Sequence, residues 1–524
     1  MTNISKRSFL KFAVASAAAV PAVRAASAAE ASGHWDEVTD VLVIGYGGAG
    51  AAAAIEAHDA GAKVLIVEKM KNAGGNTRAS GGGFIIPKDA DQAYEYLEKT
   101  FLFADNEMDG SLVREFCKGA VALPEFFKKI APNAKLRVTG HANYPYLPHA
   151  DNITKYRVRG KHTGGIDLIE TLRTAVEKDR NIPVWLESPA LELVRGPNGV
   201  AGAVIRHNGK DVRVQARRGV VLACGGYEYD KRSLQNYCLG TNVLGLGNPG
   251  NTGDGIRMAA SMGARLWHMT SYSCPLGVKI PGCKAAVFVS MQTPNYIMVN
   301  QDGKRFCNEA GVDFHGFIYA VNQLDGVKHR YPAIPCYIIM DEAGRLAGRP
   351  THFSYGYAAQ IEGYRWSEDS SREIQSGVVK KAETLDDLAK MIGVPAENLK
   401  AQVARWNADM KKGVDTEFGR KLKKTGKTAF VGTEVPTLSA PLSEKGPYYA
   451  IQAFPALLNT QGGPKRDAKA RVMDVYDRPI PRLFVAGELG SIWGSIYQGS
   501  SNVCEALVYG RIAGASAAAE KPAA

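Results

Sequence analysis

The sequence predicts an α/β fold in which a parallel-sheet domain, contributed by both ends of the chain, is interrupted by an inserted α+β segment. Three observations predict it. Asp40-Val41-Leu42-Val43-Ile44 is an almost unbroken apolar run, the pattern of a strand buried on both faces. A glycine-rich turn, an Ala-rich helix through Ala60 and a second apolar strand, Lys63-Val64-Leu65-Ile66-Val67, follow it directly. That pattern lapses near Trp267 and returns near Thr460, with mixed short strands such as Tyr296-Ile297-Met298-Val299 and a charged helical stretch from Leu385 to Lys412 in between. The boundaries expected are 36–266 and 458–524 for the two parts of the sheet domain and 267–457 for the insertion. A chain of 524 residues, 45% hydrophobic and 22% charged, supports two full cores of ordinary globular composition.

The first turn reads Gly45-Tyr46-Gly47-Gly48-Ala49-Gly50, a G-x-G-x-x-G set between strand and helix. Gly45 permits the tight turn, Gly47 lets the backbone approach a pyrophosphate, and Gly50 allows the helix to pack closely on the strand. The helix start offers N–H groups and a positive dipole end to phosphate. Glu68 closes the second strand about twenty residues on, where an acid accepts hydrogen bonds from a ribose. This is a Rossmann-like dinucleotide site. A second glycine-rich loop, Gly74-Gly75-Asn76-Thr77-Arg78-Ala79-Ser80-Gly81-Gly82-Gly83, would let the backbone lie along a longer cofactor, which favours FAD over NAD.

At these residues the chain resembles the fumarate reductase and succinate dehydrogenase flavoprotein family, including soluble flavocytochrome c reductases. Further marks are Leu222-Ala223-Cys224-Gly225-Gly226, Thr252-Gly253-Asp254-Gly255, Leu483-Phe484-Val485-Ala486-Gly487-Glu488 and Gly499-Ser500-Ser501-Asn502. The resemblance covers nearly the whole chain after the N-terminal segment. It implies a Rossmann-like FAD-binding domain with an inserted α+β capping domain, and non-covalent FAD. Beside Gly45, Gly47 and Gly50, the FAD contacts it implies are Ala49, Glu68, Asn76, Thr77, Gly81, Gly82, Ala190, Asp254, Glu488, Asn502 and Val503, with Lys69 and Gly75 next to them. Asp415-Thr416-Glu417-Phe418-Gly419-Arg420 and Gly446-Pro447-Tyr448-Tyr449-Ala450 are similar to the family's cap. A cap excludes water and holds substrate against the cofactor. Asn502 lies at the start of the last helix, whose dipole would stabilise a reduced, anionic flavin.

The resemblance fails at the family's dicarboxylate grip. Its proton-donating arginine would fall at Asp313, its substrate histidine at Asn459, its carboxylate-binding arginine at Gln498 and its second histidine near Pro275. Burying a dianion unpaired costs several kcal/mol, so this reading rejects fumarate. Tyr497-Gln498-Gly499-Ser500-Ser501 is instead similar to a Tyr-x-Gly-x-Gly stretch of 3-ketosteroid dehydrogenases that grips a carbonyl. The Tyr497 hydroxyl and the Ser501 backbone N–H would together stabilise an enolate. Asp313, His315 and His162 are the candidate acid–base residues. Tyr144 and Tyr146, between His141 and His149, are expected to line a pocket. The expected activity is reduction of an activated C=C, an enoate or enone, with electrons from an external carrier such as a c-type cytochrome. A 3-ketosteroid dehydrogenase-like enzyme running oxidatively and a flavin electron-transfer module without organic substrate are the alternatives.

The remaining features bound the setting. Residues 1–29 carry a basic head (Lys6, Arg7, Lys11), a mildly apolar Ala-rich middle and small residues from Ala25 to Ala28, the layout of an export signal. The head resembles the twin-arginine type with Lys in place of the first Arg, which implies a periplasmic protein exported in its folded state. The formal charge is +12, and the most basic stretch, Lys411 to Lys427, reads as a solvated surface or as a docking face for an acidic redox partner. Cys274 and Cys283 are a candidate disulfide pair, and most of the other six cysteines read as buried thiols. No metal-ligand spacing, nucleic-acid motif or membrane span is present in the sequence pattern.

Overall fold

Strand β1 (Glu37–Ile44) is buried from Thr39 onward because strands flank it on both edges, Val41 and Val43 join a core with the helix that follows, and Leu42 and Ile44 join one with Leu193, Val200 and Ile205. The computed structural model describes residues 34–102, 107–162, 164–238, 242–313, 315–351, 355–423 and 437–523. The export-signal reading of 1–29 lies outside them, as do Lys424 and Lys427. Helix α1 (Gly48–Asp59) leads to β2 (Val64–Val67), and β2 pairs with β1 in parallel register, Val41 opposite Val64. On its other edge β1 runs parallel to the strand Lys210–Leu222, which in turn pairs in parallel with Pro479–Val485. Both ends of the chain therefore complete one sheet. Its order is Arg471–Met473, Pro479–Val485, Lys210–Leu222, β1, β2, Val184–Trp185.

Helix α1 packs against the C-terminal helix Ser501–Ala519 at very short range. A methyl group at Gly510 would meet the Ala49 carbonyl oxygen at 2.5 Å, and one at Gly514 the Ala53 carbonyl oxygen at 2.1 Å. That approach explains why both helices are rich in Ala and Gly: only small residues let the two backbones touch.

Three further strands hang from the sheet domain: β3 (Phe84–Pro87), β4 (Lys135–His141) and β5 (Ile153–Arg159), antiparallel in the order β3–β5–β4. Phe84 faces Tyr156 across β3 and β5, and Arg137 faces Arg157 across β4 and β5.

The insertion is built on an antiparallel sheet around the long strand Tyr448–Leu457, flanked by Cys336–Asp341 and Leu276–Val278. Helices Leu385–Ile392 and Ala396–Lys412 lay Leu388, Leu399, Val403 and Trp406 on Ile297, Val299, Ile339 and Ala450. Arg305 locks this unit from inside. It donates to Glu309 at 2.8 Å and to Asp415 at 2.9 and 3.0 Å, with all three side chains fully buried. Arg420 lies beside them and donates to the carbonyl oxygen of Tyr296 at 2.8 Å. The basic stretch is therefore not one surface: Arg420 is a core residue. The chain leaves and re-enters the sheet domain along paired segments, Leu266–Trp267 against Gly463–Pro464 and Tyr272–Ser273 against Asn459–Thr460.

All eight cysteines are free, so the Cys274–Cys283 pairing is not formed; Cys274 is fully buried while Cys283 is partly exposed. Among the described residues, no helix is long and apolar enough to cross a membrane, and no group of three or more His, Cys, Asp or Glu is placed to hold a metal.

Candidate active site

A cavity of about 1140 Å³ runs from the tip of β2 to the junction between the two domains. At one end the chain turns at Gly45, whose φ of +104° and missing side chain both matter: a methyl group there would sit 2.3 Å from the Ala223 carbonyl oxygen. A methyl group on Gly50 would lie 1.9 Å from the Gly45 carbonyl oxygen, so Gly50 serves helix–strand contact and does not line the cavity. The start of α1 has no side-chain cap on Gly47 and no acid in its first turn, as an anion-binding helix end requires.

Glu68 is fixed by two backbone donors, Tyr46 N–H and Met70 N–H, each at 2.8 Å, while its carboxylate borders the cavity. Burial pushes its pKa up. Lys69 forms an ion pair with Asp254 and donates to Thr252 Oγ1 at 2.6 Å. Asn76 ties together two acids, donating to Glu228 at 2.6 Å and to Glu488 at 2.8 Å, and accepts from the Asn248 N–H at 2.6 Å. Burial pushes the pKa of both Glu228 and Glu488 up. Gly45, Gly47, Ala49, Glu68, Lys69, Gly75, Asn76, Thr77, Gly81, Gly82, Ala190, Asp254, Glu488, Asn502 and Val503 all border this one cavity. A glycine cradle, a helix start without acids and a fixed ribose acid along one elongated chamber fit FAD.

The far end holds Tyr144, Asp313, His315 and Tyr497. Asp313 Oδ1 accepts the His315 backbone N–H at 2.9 Å and lies 3.4 Å from His315 Nδ1. Its Oδ2 accepts from the Tyr144 hydroxyl at 3.2 Å. Burial works to raise the Asp313 pKa, but His315 and Tyr144 outweigh it and hold the carboxyl below its usual range. Asp313 is thus an orienting group set against His315. The rings of His315 and Tyr497 are 4.5 Å apart. Burial raises the pKa of both Tyr144 and Tyr497, which keeps them neutral hydrogen-bond donors.

Two candidates stand elsewhere. Ser501 is fully buried outside the cavity lining, and its backbone N–H donates to the Gln498 carbonyl at 3.1 Å. The left-handed turn at Ser500, φ 78°, folds that N–H back on its own chain, and Ser500 borders the cavity in its place. His162 is exposed and outside the lining, with its backbone N–H on Asp167 at 3.0 Å. His149 also points away, 2.9 Å from Glu95.

Sequence reasoning missed four lining cations, Arg349 and Lys421 in the inserted segment and Lys155 and Arg157 on β5. Lys155 and Arg157 alternate on β5, so both project from one face, and both border the cavity. The chamber is therefore not bare of positive charge, as the four lost family positions suggested. Lys155 reaches Asn143 Oδ1, which also accepts from Gln498 Nε2 at 3.2 Å. The period-two pattern Lys155-Tyr156-Arg157 was the available signal, but the face it presents depends on tertiary placement.

Comparison with known proteins agrees with this geometry. A family model described as FAD binding domain matches residues 40–503. The probable fumarate reductase Ifc3 of Shewanella frigidimarina is 28% identical, covering 92% of this chain and 75% of that protein. The 3-oxosteroid 1-dehydrogenase of Mycolicibacterium smegmatis is also 28% identical, over 92% of this chain and 97% of its own. The structure of 3-ketosteroid Δ1-dehydrogenase from Sterolibacterium denitrificans superposes with a TM-score of 0.79 at 26% identity, covering 93% of this chain and all of that one.

Proposed function

This chain belongs to the FAD binding domain family of flavoproteins, and from that premise we propose an exported oxidoreductase that reduces an activated carbon–carbon double bond, an enoate or enone. FAD, when bound, supplies the hydride that the β carbon accepts. The chain supplies the rest. His315, oriented by Asp313, delivers a proton to the α carbon. The Tyr497 hydroxyl, kept protonated by burial, donates to the carbonyl or carboxyl oxygen as negative charge gathers there. The inserted domain contributes Asp313 and His315 to the far end of the chamber, and a cap of this kind limits the access of water. One hydride and one proton saturate the double bond, and two electrons from an external carrier such as a c-type cytochrome, with two protons from solvent, would restore the enzyme.

The observation that carries this reading is the Tyr144–Asp313–His315–Tyr497 cluster at the end of the same chamber that holds the glycine cradle. A pure electron relay has no use for an enclosed acid–base group. The test is anaerobic: holoprotein reduced with a viologen is mixed with unsaturated acids and enones, and bleaching of the viologen radical reports turnover. Reoxidation only by other redox proteins would establish the relay instead. Export is supported by residues 1–29 and is tested by fractionating cells that express the full chain.

A second reading, dehydrogenation of a 3-ketosteroid, is favoured by Tyr497 and by the steroid dehydrogenase superposition. The two cations of β5 weigh against a neutral steroid ring in this chamber.

A further inference from the structure

The mechanism above leaves Lys155 and Arg157 without a task. Both are on β5, two residues apart and on one face, and their strand runs along the glycine loop through its pairing with β3. Arg157 is set against that loop: a methyl group at Gly81 would lie 2.9 Å from its Nη2, and one at Gly83 would lie 3.9 Å from its Nε. Nη2 donates to the Tyr355 hydroxyl at 3.1 Å, and Tyr355 also borders the cavity. Nε is buried and has no acceptor among the described residues. A buried guanidinium N–H without a partner is costly, and this one belongs to a residue of the cavity wall, where a ligand can provide the acceptor. The side-on fork of Nε and Nη2 matches the two oxygens of a carboxylate.

Lys155 brings a second positive charge to the place where the sequence has lost one. Gln498 stands where the resembling family has its carboxylate-binding arginine, and its amide is spent on Tyr96, Asn143 and the backbone of Gly499. Lys155 meets the same Asn143. Arg137, opposite Arg157 on β4, adds charge to that sheet face. A second carboxylate reaching Asp313 would meet a like charge.

We propose that Lys155 and Arg157 form a carboxylate subsite, and that the substrate is a monocarboxylic enoate gripped by β5. This names the substrate class for the reading given above and rests on it. The positive side chains anchor the carboxylate and, through conjugation, draw electron density from the double bond.

The experiment uses holoprotein and two readouts. In turnover, acrylate, crotonate and cinnamate are compared with their methyl esters and with fumarate. The acids are expected to show a KM about 10–100-fold below that of the esters, the range for losing a charge-assisted hydrogen bond. Arg157→Gln should erase that ratio by raising KM for the acids alone, Lys155→Met should reduce it, and Arg157→Lys should restore part of it. In equilibrium binding, 3-phenylpropionate and 3-phenylpropionamide are titrated into oxidised holoprotein and followed by perturbation of the flavin absorbance. Wild type should prefer the acid, and Arg157→Gln should not. Equal affinity for acid and amide in wild type overturns the subsite, as does a variant that weakens both alike. A variant that shifts only the flavin midpoint potential overturns it too, and assigns the cations to the cofactor. Acid-selective binding without turnover of any enoate would keep the subsite and defeat the proposed reaction.

Discussion

The two ends of the cavity were built under different constraints. At the cofactor end, the backbone itself makes the contacts, so the requirements fall on residue size and spacing: Gly45, Gly47 and Gly50 in one turn, and Glu68 at the end of the next strand. At the substrate end, side chains from four separate segments meet: Tyr144, Lys155 and Arg157, Asp313 and His315, and Tyr497. The first end accommodates one cofactor and tolerates little change. The second is assembled from single side chains on separate segments, and part of its positive charge comes from Lys155 and Arg157 on β5. Binding of FAD and choice of substrate are therefore separable properties of this fold.

The largest expected effect breaks the cofactor end. Gly50→Ala places a methyl group 1.9 Å from the Gly45 carbonyl oxygen and forces α1 off β1. Overpacking of this kind costs about 1–3 kcal/mol even where the core can adjust. The ratio of flavin to protein absorbance in the purified variant should fall to about a tenth of wild type or less, a loss of roughly 1.4 kcal/mol or more in binding terms. A normal ratio would show that the close helix–strand contact is dispensable.

Substitutions at the substrate end should leave that ratio unchanged. His315→Gln removes the proton carrier and should lower kcat by about 10²–10⁴-fold. Tyr497→Phe keeps the ring against His315 but removes the hydroxyl, and should lower kcat by about 10²-fold. If either variant loses flavin in parallel with activity, the two ends are coupled and the separation fails.

Asp313 gives a pH signature. Its folded pKa lies below the ordinary value, so it contributes stability that is present above the unfolded carboxylate pKa of about 3.9 and is lost as pH falls through the lower folded value. Denaturant melts of wild type and Asp313→Asn across that acid range should converge as pH drops. Curves separated by a constant amount would show that Asp313 is not held ionised. The smallest effect belongs to His162→Ala, expected to keep kcat within about twofold, as for an exposed site outside the cavity.

This contrast also explains what the sequence could disclose. Gly45, Gly50 and Glu68 are legible because a βαβ unit fixes their positions locally, so spacing alone implies geometry. The inserted domain was legible from where the pattern stopped and resumed. Ser501 was misplaced because a helix start suggests a free N–H, whereas the left-handed Ser500 turns that group onto Gln498. Lys155 and Arg157 were invisible because β5 reaches the cavity only through pairing with β3, a tertiary relation that no local motif encodes. Glu228, held to Glu488 through Asn76, was missed for the same reason.

The most direct test of the whole account is an anaerobic titration of viologen-reduced holoprotein with crotonate. The account predicts a yellow protein with one FAD per chain that consumes two electrons for each double bond saturated. A protein that stays colourless after reconstitution, or one whose flavin yields electrons only to other redox proteins, would contradict it.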